Sequence, residues 1–70
     1  MNIRYLRNYL SLRVGSKITV IYNGSRNRRE KYQGVLYKTY GNVFIIMLVS
    51  GEIKSFNYID ILTKTIQIYI

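Results

Sequence analysis

The sequence contains no cysteine, histidine, proline or tryptophan, and only three of its 70 residues are acidic. Without cysteine the chain cannot form disulfides, and without cysteine and histidine it lacks the usual ligands of a zinc site. Acid–base and covalent catalysis mostly relies on histidine, cysteine or paired carboxylates. The three carboxylates, Glu30, Glu52 and Asp60, are widely spaced. We therefore expect no catalytic residues, no metal site and no cofactor.

Long apolar segments are also missing. The longest strictly apolar run, residues 43–49, is far shorter than the roughly 20 residues that span a bilayer. Arg4 and Arg7 interrupt the segment in which a signal peptide needs an apolar core. A chain of this length forms at most one domain. We expect a cytoplasmic protein with a single domain over residues 1–70.

Positive charge is the main property that the sequence does have. Eleven lysines and arginines give a formal net charge of +8, which attracts polyanions such as nucleic acid, an anionic membrane or an acidic protein surface. The charge lies mainly in two clusters of the N-terminal half, and these supply the candidate binding residues: Arg4, Arg7 and Arg13 in the first, and Arg26, Arg28, Arg29 and Lys31 in the second. The alternative is a charge that serves solubility alone.

The apolar periodicity predicts one short helix followed by five strands. Helical spacing of Ile3, Leu6 and Leu10 indicates a helix over residues 2–12. After Gly15 the pattern changes to the period of two that is typical of strands. The predicted strands cover residues 17–22, 30–40, 43–49, 52–58 and 62–70, with a short turn, or one turn of 3₁₀ helix, at 59–61. Tight connections and a long second strand favour a small barrel, because a barrel leaves no open sheet edge.

Two positions in this pattern carry further expectations. Gly34, inside the second strand, suggests a bulge or a sharp bend. The continuous apolar run of residues 43–49 predicts a strand that is buried on both faces.

Three ordered blocks of the sequence resemble the Veg family of small bacterial proteins. The first block is the Asn23-Gly24 turn with its arginine-rich loop, and the second is Gly34-Val35-Leu36 with Thr39-Tyr40 and Val43-Phe44. The third runs from Ser55 to Ile66, with Asp60-Ile61-Leu62-Thr63 at its centre. The chain departs from the family pattern at Gly41, where the family has proline, and in a shorter hairpin at Ser50-Gly51.

The resemblance implies an SH3-like barrel preceded by a helix. It also implies a regulatory role, in transcription and in the stimulation of biofilm formation, exerted through a protein regulator or nucleic acid. The alternative from the residues themselves is an RNA-binding, ribosome-associated protein, since small ribosomal barrels often carry a basic loop after their first strand.

The basic loop after Asn23-Gly24 is the first candidate site, because arginine can hold two phosphate oxygens at once. Tyr32 and Tyr37 accompany the loop and are the tyrosines that we expect to be exposed for base stacking. The competing interpretation is that the loop is only solvated and the tyrosines pack in the barrel wall. A membrane is the least favoured partner, and self-association into a homodimer stays open.

Overall fold

The computed structural model describes residues 2–24 and 28–70. It contains an N-terminal helix, five strands and a second short helix between the last two strands. In chain order these are α1 (Ile3–Ser11), β1 (Lys17–Asn23), β2 (Arg29–Thr39), β3 (Val43–Leu48), β4 (Ile53–Asn57), α2 (Tyr58–Leu62) and β5 (Ile66–Tyr69). The mainly β class with an N-terminal helix is thereby confirmed. Within residues 2–24 and 28–70, no helix has the length and apolarity needed to cross a membrane.

Helix α1 forms where the helical spacing predicted it. The side-chain oxygen of Asn2 accepts a hydrogen bond of 2.8 Å from the backbone N–H of Tyr5, which caps the helix. Leu6 and Leu10 are buried in the core. The helix is therefore held by packing on the sheet, which a nine-residue helix needs because it is marginal by itself.

All five strands lie in one antiparallel sheet of order β4-β3-β2-β1-β5. The predicted closed barrel is wrong in one respect: β4 and β5 pair with one neighbour each among the described residues, so the sheet stays open. The physical reason lies in the connection between them, because α2 contacts β4, β5 and α1. Tyr58 of α2 is fully buried, with its ring centroid 5.6 Å from that of Phe44. In a closed barrel, β4 and β5 would be joined by hydrogen bonds. Here α2 packs between the two strands and buries Tyr58.

Along each strand, successive side chains point alternately to the two faces of the sheet. The inner face carries the core, which consists of Leu6, Leu10, Ile18, Val20, Leu36, Phe44, Ile46, Tyr58 and Ile66. We call the opposite surface the outer face. The pairing of β2 with β1 shows which residues of β2 lie on each face. The inner face carries Glu30, Tyr32, Gly34 and Leu36, and the outer face carries Arg29, Lys31, Gln33 and Val35.

Gly34 lies in β2 between its two neighbouring strands, and it pairs with Ile18 of β1 and with Leu48 of β3. A Cβ atom at this position would overlap the carbonyl oxygen of Met47 and lie 2.9 Å from the Cα of Leu48. The glycine thus permits close approach of two backbones. The register shift lies between Leu36 and Lys38, three residues beyond the place where the sequence suggested a bulge.

Three further expectations need correction. β3 is not buried on both faces: Phe44 and Ile46 are buried, while Met47 on the outer face is exposed. The turn expected at residues 59–61 is the short helix α2, and the last strand begins at Ile66, not at residue 62. Because Thr63 N–H continues the helical bonding to the carbonyl of Ile59, the chain straightens only after that turn is complete.

Candidate nucleic-acid interface

Three exposed cations share the outer face at the β1–β2 side of the sheet. Arg29 lies opposite Asn23, Lys31 opposite Ile21, and Lys17 opposite Val35, all with side chains on the outer face. We call Lys17, Arg29 and Lys31 the basic strip. A shallow cavity of about 290 Å³ beside it is lined by Ile21 and residues 29–31. Lys17 lies outside the two charge clusters of the sequence, and only the pairing of β1 with β2 brings it onto the same face as Arg29 and Lys31.

The acidic residues do not share this face. Glu30 alternates to the inner face, while Glu52 and Asp60 lie outside the strands. No outer-face strand position within residues 2–24 and 28–70 carries a carboxylate. The outer face of the strip therefore presents one sign of charge to a phosphate chain. Glu30 also lines the cavity and is exposed, but strand alternation turns its side chain to the inner face.

The loop that joins β1 and β2 is only partly described. Arg28 is exposed and directly precedes β2, and its carbonyl accepts a hydrogen bond of 2.7 Å from the N–H of Gly24. Arg26, a candidate from the sequence, lies outside the described residues together with Ser25 and Asn27. Arg28 thus adds an exposed cation directly before the strand that carries Arg29 and Lys31.

Tyr32 is separated from the cations that flank it in sequence. It lies on the inner face, half-buried, with its ring centroid 5.7 Å from that of Phe56 and 5.6 Å from the ammonium of Lys54. Its hydroxyl donates a hydrogen bond of 2.7 Å to Glu30 Oε2. This bond, together with burial, raises the pKa of Tyr32 above its ordinary value. Strand alternation thus places Tyr32 on the face opposite to Lys31.

Tyr37 is exposed, as expected, at the register shift of β2. The ammonium of Lys38 lies 5.7 Å from its ring centroid. This pair is distant in register from Arg29 and Lys31, eight and six residues along the strand. Tyr37 is therefore remote from Arg29 and Lys31 and lies nearer the Lys17 end of the strip, two residues beyond Val35, which pairs with Lys17.

The arginines of the first cluster point to different places. Arg7 donates to the carbonyl of Gly41 at 3.4 Å. Arg13 donates to the carbonyl of Tyr9 at 2.9 Å, and its guanidinium carbon lies 3.7 Å from the centroid of that ring. Arg4 is exposed on α1. The N-terminal arginines are thus three separate features, two of which stabilise local structure.

Tyr69 is an exposed aromatic residue that the sequence analysis did not select. It lies on the outer face opposite Thr19, 56% exposed, and its hydroxyl donates to Gln67 Oε1 at 3.4 Å. The signal was present in the alternation of β5, which sets Gln67 and Tyr69 apart from Ile66 and Ile68. What the sequence did not show is that β5 pairs with β1, which brings Tyr69 onto the face of the basic strip.

Among the described residues, one buried side-chain polar atom in the core has no hydrogen-bond partner. The Tyr58 hydroxyl makes no hydrogen bond with the described residues. Burial raises the pKa of Tyr58, and the nearby Thr39 and Arg7 side chains act in the opposite direction. Because this hydroxyl is inaccessible, it belongs to the core and not to a binding site. Among residues 2–24 and 28–70, no group of three or more acidic side chains could hold a metal ion.

Comparison with known families gives one result. The family model described as "Biofilm formation stimulator VEG" matches residues 1–69. No curated protein matches the chain, and no solved structure does.

Proposed function

This chain belongs to the VEG family of biofilm formation stimulators, and from that premise we propose that it is a non-catalytic regulatory module that binds nucleic acid through the outer face. The observation that supports the proposal is the basic strip, three exposed cations on a face where no described strand position carries a carboxylate. Binding in this way would link biofilm stimulation to the regulation of transcription.

Phosphate contacts would supply the affinity. A protein that neutralises phosphates with lysine and arginine releases counterions, and this gain does not depend on sequence. Arg29 can hold two phosphate oxygens, while Lys17 and Lys31 act as point charges. Such contacts position a protein on nucleic acid and leave base recognition to other groups.

A second candidate function is RNA binding in association with the ribosome. Tyr69 favours it, because an exposed aromatic ring on a sheet face beside cations can stack an unpaired base. Stacking of this kind is worth about 1–3 kcal/mol per base. A preference for single-stranded RNA over duplex DNA, lost on Tyr69→Ala, would favour this candidate.

The proposal contains no catalytic step. Each acidic residue has a structural setting in the described chain: Glu30 accepts from Tyr32, Glu52 lies 3.8 Å from the ammonium of Lys54, and Asp60 lies in α2. The family description likewise names a stimulator and no reaction.

The test is a titration of labelled duplex DNA and single-stranded RNA, followed by fluorescence anisotropy across a salt series. The variant Arg29→Gln/Lys31→Gln removes two charges from the basic strip. The control Arg4→Gln/Lys64→Gln removes two exposed charges outside the strip, so both proteins fall from +8 to +6.

If each strip residue neutralises one phosphate, the duplex slope of log K against log salt should flatten by about 0.9 per residue, or about 1.8 for the double variant. The control should change the slope little. Absence of binding at low salt would overturn the proposal, and so would equal flattening in both variants, since that result would show a diffuse charge effect.

A further inference from the structure

The outer face has a second half, across β2, β3 and β4, that the basic strip does not use. Here Val35 lies directly opposite Met47, and Met47 lies directly opposite Ile53. All three side chains are exposed, by 39%, 38% and 49%. We call Val35, Met47 and Ile53 the apolar row.

A groove continues the apolar row toward the end of β3. A cavity of about 380 Å³ opens there, and its lining includes Lys17, Val35, Met47 and Val49. Val49, in the turn after β3, is 89% exposed. The row and the groove therefore form one contiguous apolar surface.

This surface is not a by-product of core packing. Directly opposed side chains on neighbouring strands pack on one another, yet among the described residues nothing covers the row from above. Single exposed apolar residues are ordinary, but a contiguous patch marks an interaction surface. The exposed side of β3, which the sequence had predicted to be buried, thus points to a partner.

The charges around the row define the chemistry of that partner. Lys17 extends the row on β1, opposite Val35, and Lys38 lies next to it, opposite Ile45. No outer-face strand position in the described residues is acidic. A second copy of the chain would bring the same cations against these lysines, whereas an acidic partner would gain from them.

The position of the row within the sheet favours a helical partner. A segment that docks on the face of a sheet finds backbone groups already engaged in the strand ladders. A helix satisfies its own backbone hydrogen bonds and offers apolar side chains at helical spacing. We propose that the apolar row binds an acidic amphipathic helix of a protein partner. The two surfaces share Lys17 at their border, but the apolar row itself does not depend on nucleic-acid binding by Arg29 and Lys31.

The experiment uses a labelled peptide of about 18 residues, or five helical turns. One face carries leucine at helical spacing, and the other positions carry glutamate. The matched peptide has the same leucines and lysine in place of glutamate. Anisotropy should show micromolar binding of the acidic peptide and none of the basic peptide.

The variants locate the binding surface. Ile53→Thr removes part of an exposed strand side chain at a residue that tolerates threonine well. Threonine has a hydroxyl where isoleucine has an ethyl group, and loss of about two buried carbons at about 0.8 kcal/mol each should weaken peptide binding about 15-fold. Met47→Thr/Ile53→Thr should weaken it further. The control is Ile59→Thr in α2, where the isoleucine is 48% exposed but lies outside the sheet. It should leave the affinity unchanged.

The outcomes are separable from those of the proposed function. The apolar-row variants should keep the salt-dependent nucleic-acid affinity of the parent protein. Absence of acidic-peptide binding, or equal binding of both peptides, would overturn the inference. It would also be overturned if sedimentation showed a dimer that Ile53→Thr dissociates, because the row would then be a self-interface.

Discussion

Replacing Gly34 with alanine would place a methyl group inside the backbone of β3. The new Cβ would overlap the carbonyl oxygen of Met47, and would lie 2.8 Å from the carbonyl carbon of Met47 and 2.9 Å from the Cα of Leu48. Ordinary van der Waals contacts of a Cβ atom fall at 3.4–4 Å. The β3 backbone must therefore move by more than half an ångström, since the obstacle is main chain and not a flexible side chain.

The magnitude follows from what that movement disturbs. Overpacking in a dense interior costs about 1–3 kcal/mol. Moving β3 away from β2 near Gly34 would stretch and weaken about two hydrogen bonds between the strands, at about 1 kcal/mol each. The sum, about 3–5 kcal/mol, is comparable with the whole stability of a 70-residue domain, which is about 3.5–10 kcal/mol. Each kcal/mol lowers Tm by about 4–8 °C in a domain of this size. A loss of about 3 kcal/mol should therefore lower Tm by at least about 12 °C.

Thermal and urea denaturation followed by circular dichroism would measure this loss. Gly41→Ala is the matched control, because Gly41 has no heavy atom within 4 Å of the built Cβ and no positive φ. The control should stay within about 0.5 kcal/mol of the parent protein. A Gly34→Ala protein with nearly the stability of the control would refute the close approach of β2 and β3.

Two further predictions concern tyrosine hydroxyls. Tyr58→Phe should leave the free energy of unfolding unchanged or raise it by up to about 1 kcal/mol, because it removes a buried hydroxyl without a partner; a clear loss in urea denaturation would reveal a hydrogen bond that the structure does not contain. Tyr32 should ionise above pH 10 and lose its stabilising contribution as the pH rises through that raised pKa, since the folded state holds the proton more tightly. Glu30→Gln, which removes the largest cause, should lower the Tyr32 pKa in an ultraviolet or NMR titration, and an unshifted pKa would contradict the role of the Glu30 bond.

Local sequence patterns were sufficient to predict most elements. The spacing of Leu6 and Leu10 located α1, and the alternation of β5 correctly separated Ile66 and Ile68 from Gln67 and Tyr69. These features depend on neighbours in sequence, where the period of side-chain directions is fixed by backbone geometry. The same local rule, applied to β2, separates Tyr32 from Lys31.

Features that depend on distant packing could not be predicted in this way. An apolar run such as residues 43–49 does not reveal whether both faces of its strand are covered, since coverage depends on where the other elements dock. The closed barrel was likewise predicted from tight connections and a long second strand, whereas α2 packs between β4 and β5. The partner strand of Tyr69 is also a matter of topology, and its sequence neighbours carry no information about it.

The pairing of Gly34 with Ile18 also determines on which face of the sheet the neighbouring charged side chains lie. Because side chains alternate, a slip of one residue turns every side chain of a strand to the other face. An insertion of one residue between Lys31 and Gly34 would turn Arg29 and Lys31 toward the core side and bring Glu30 outward, inverting the sign of that part of the surface. The spacing from Arg29 to Gly34 therefore decides which sign of charge this part of the outer face presents.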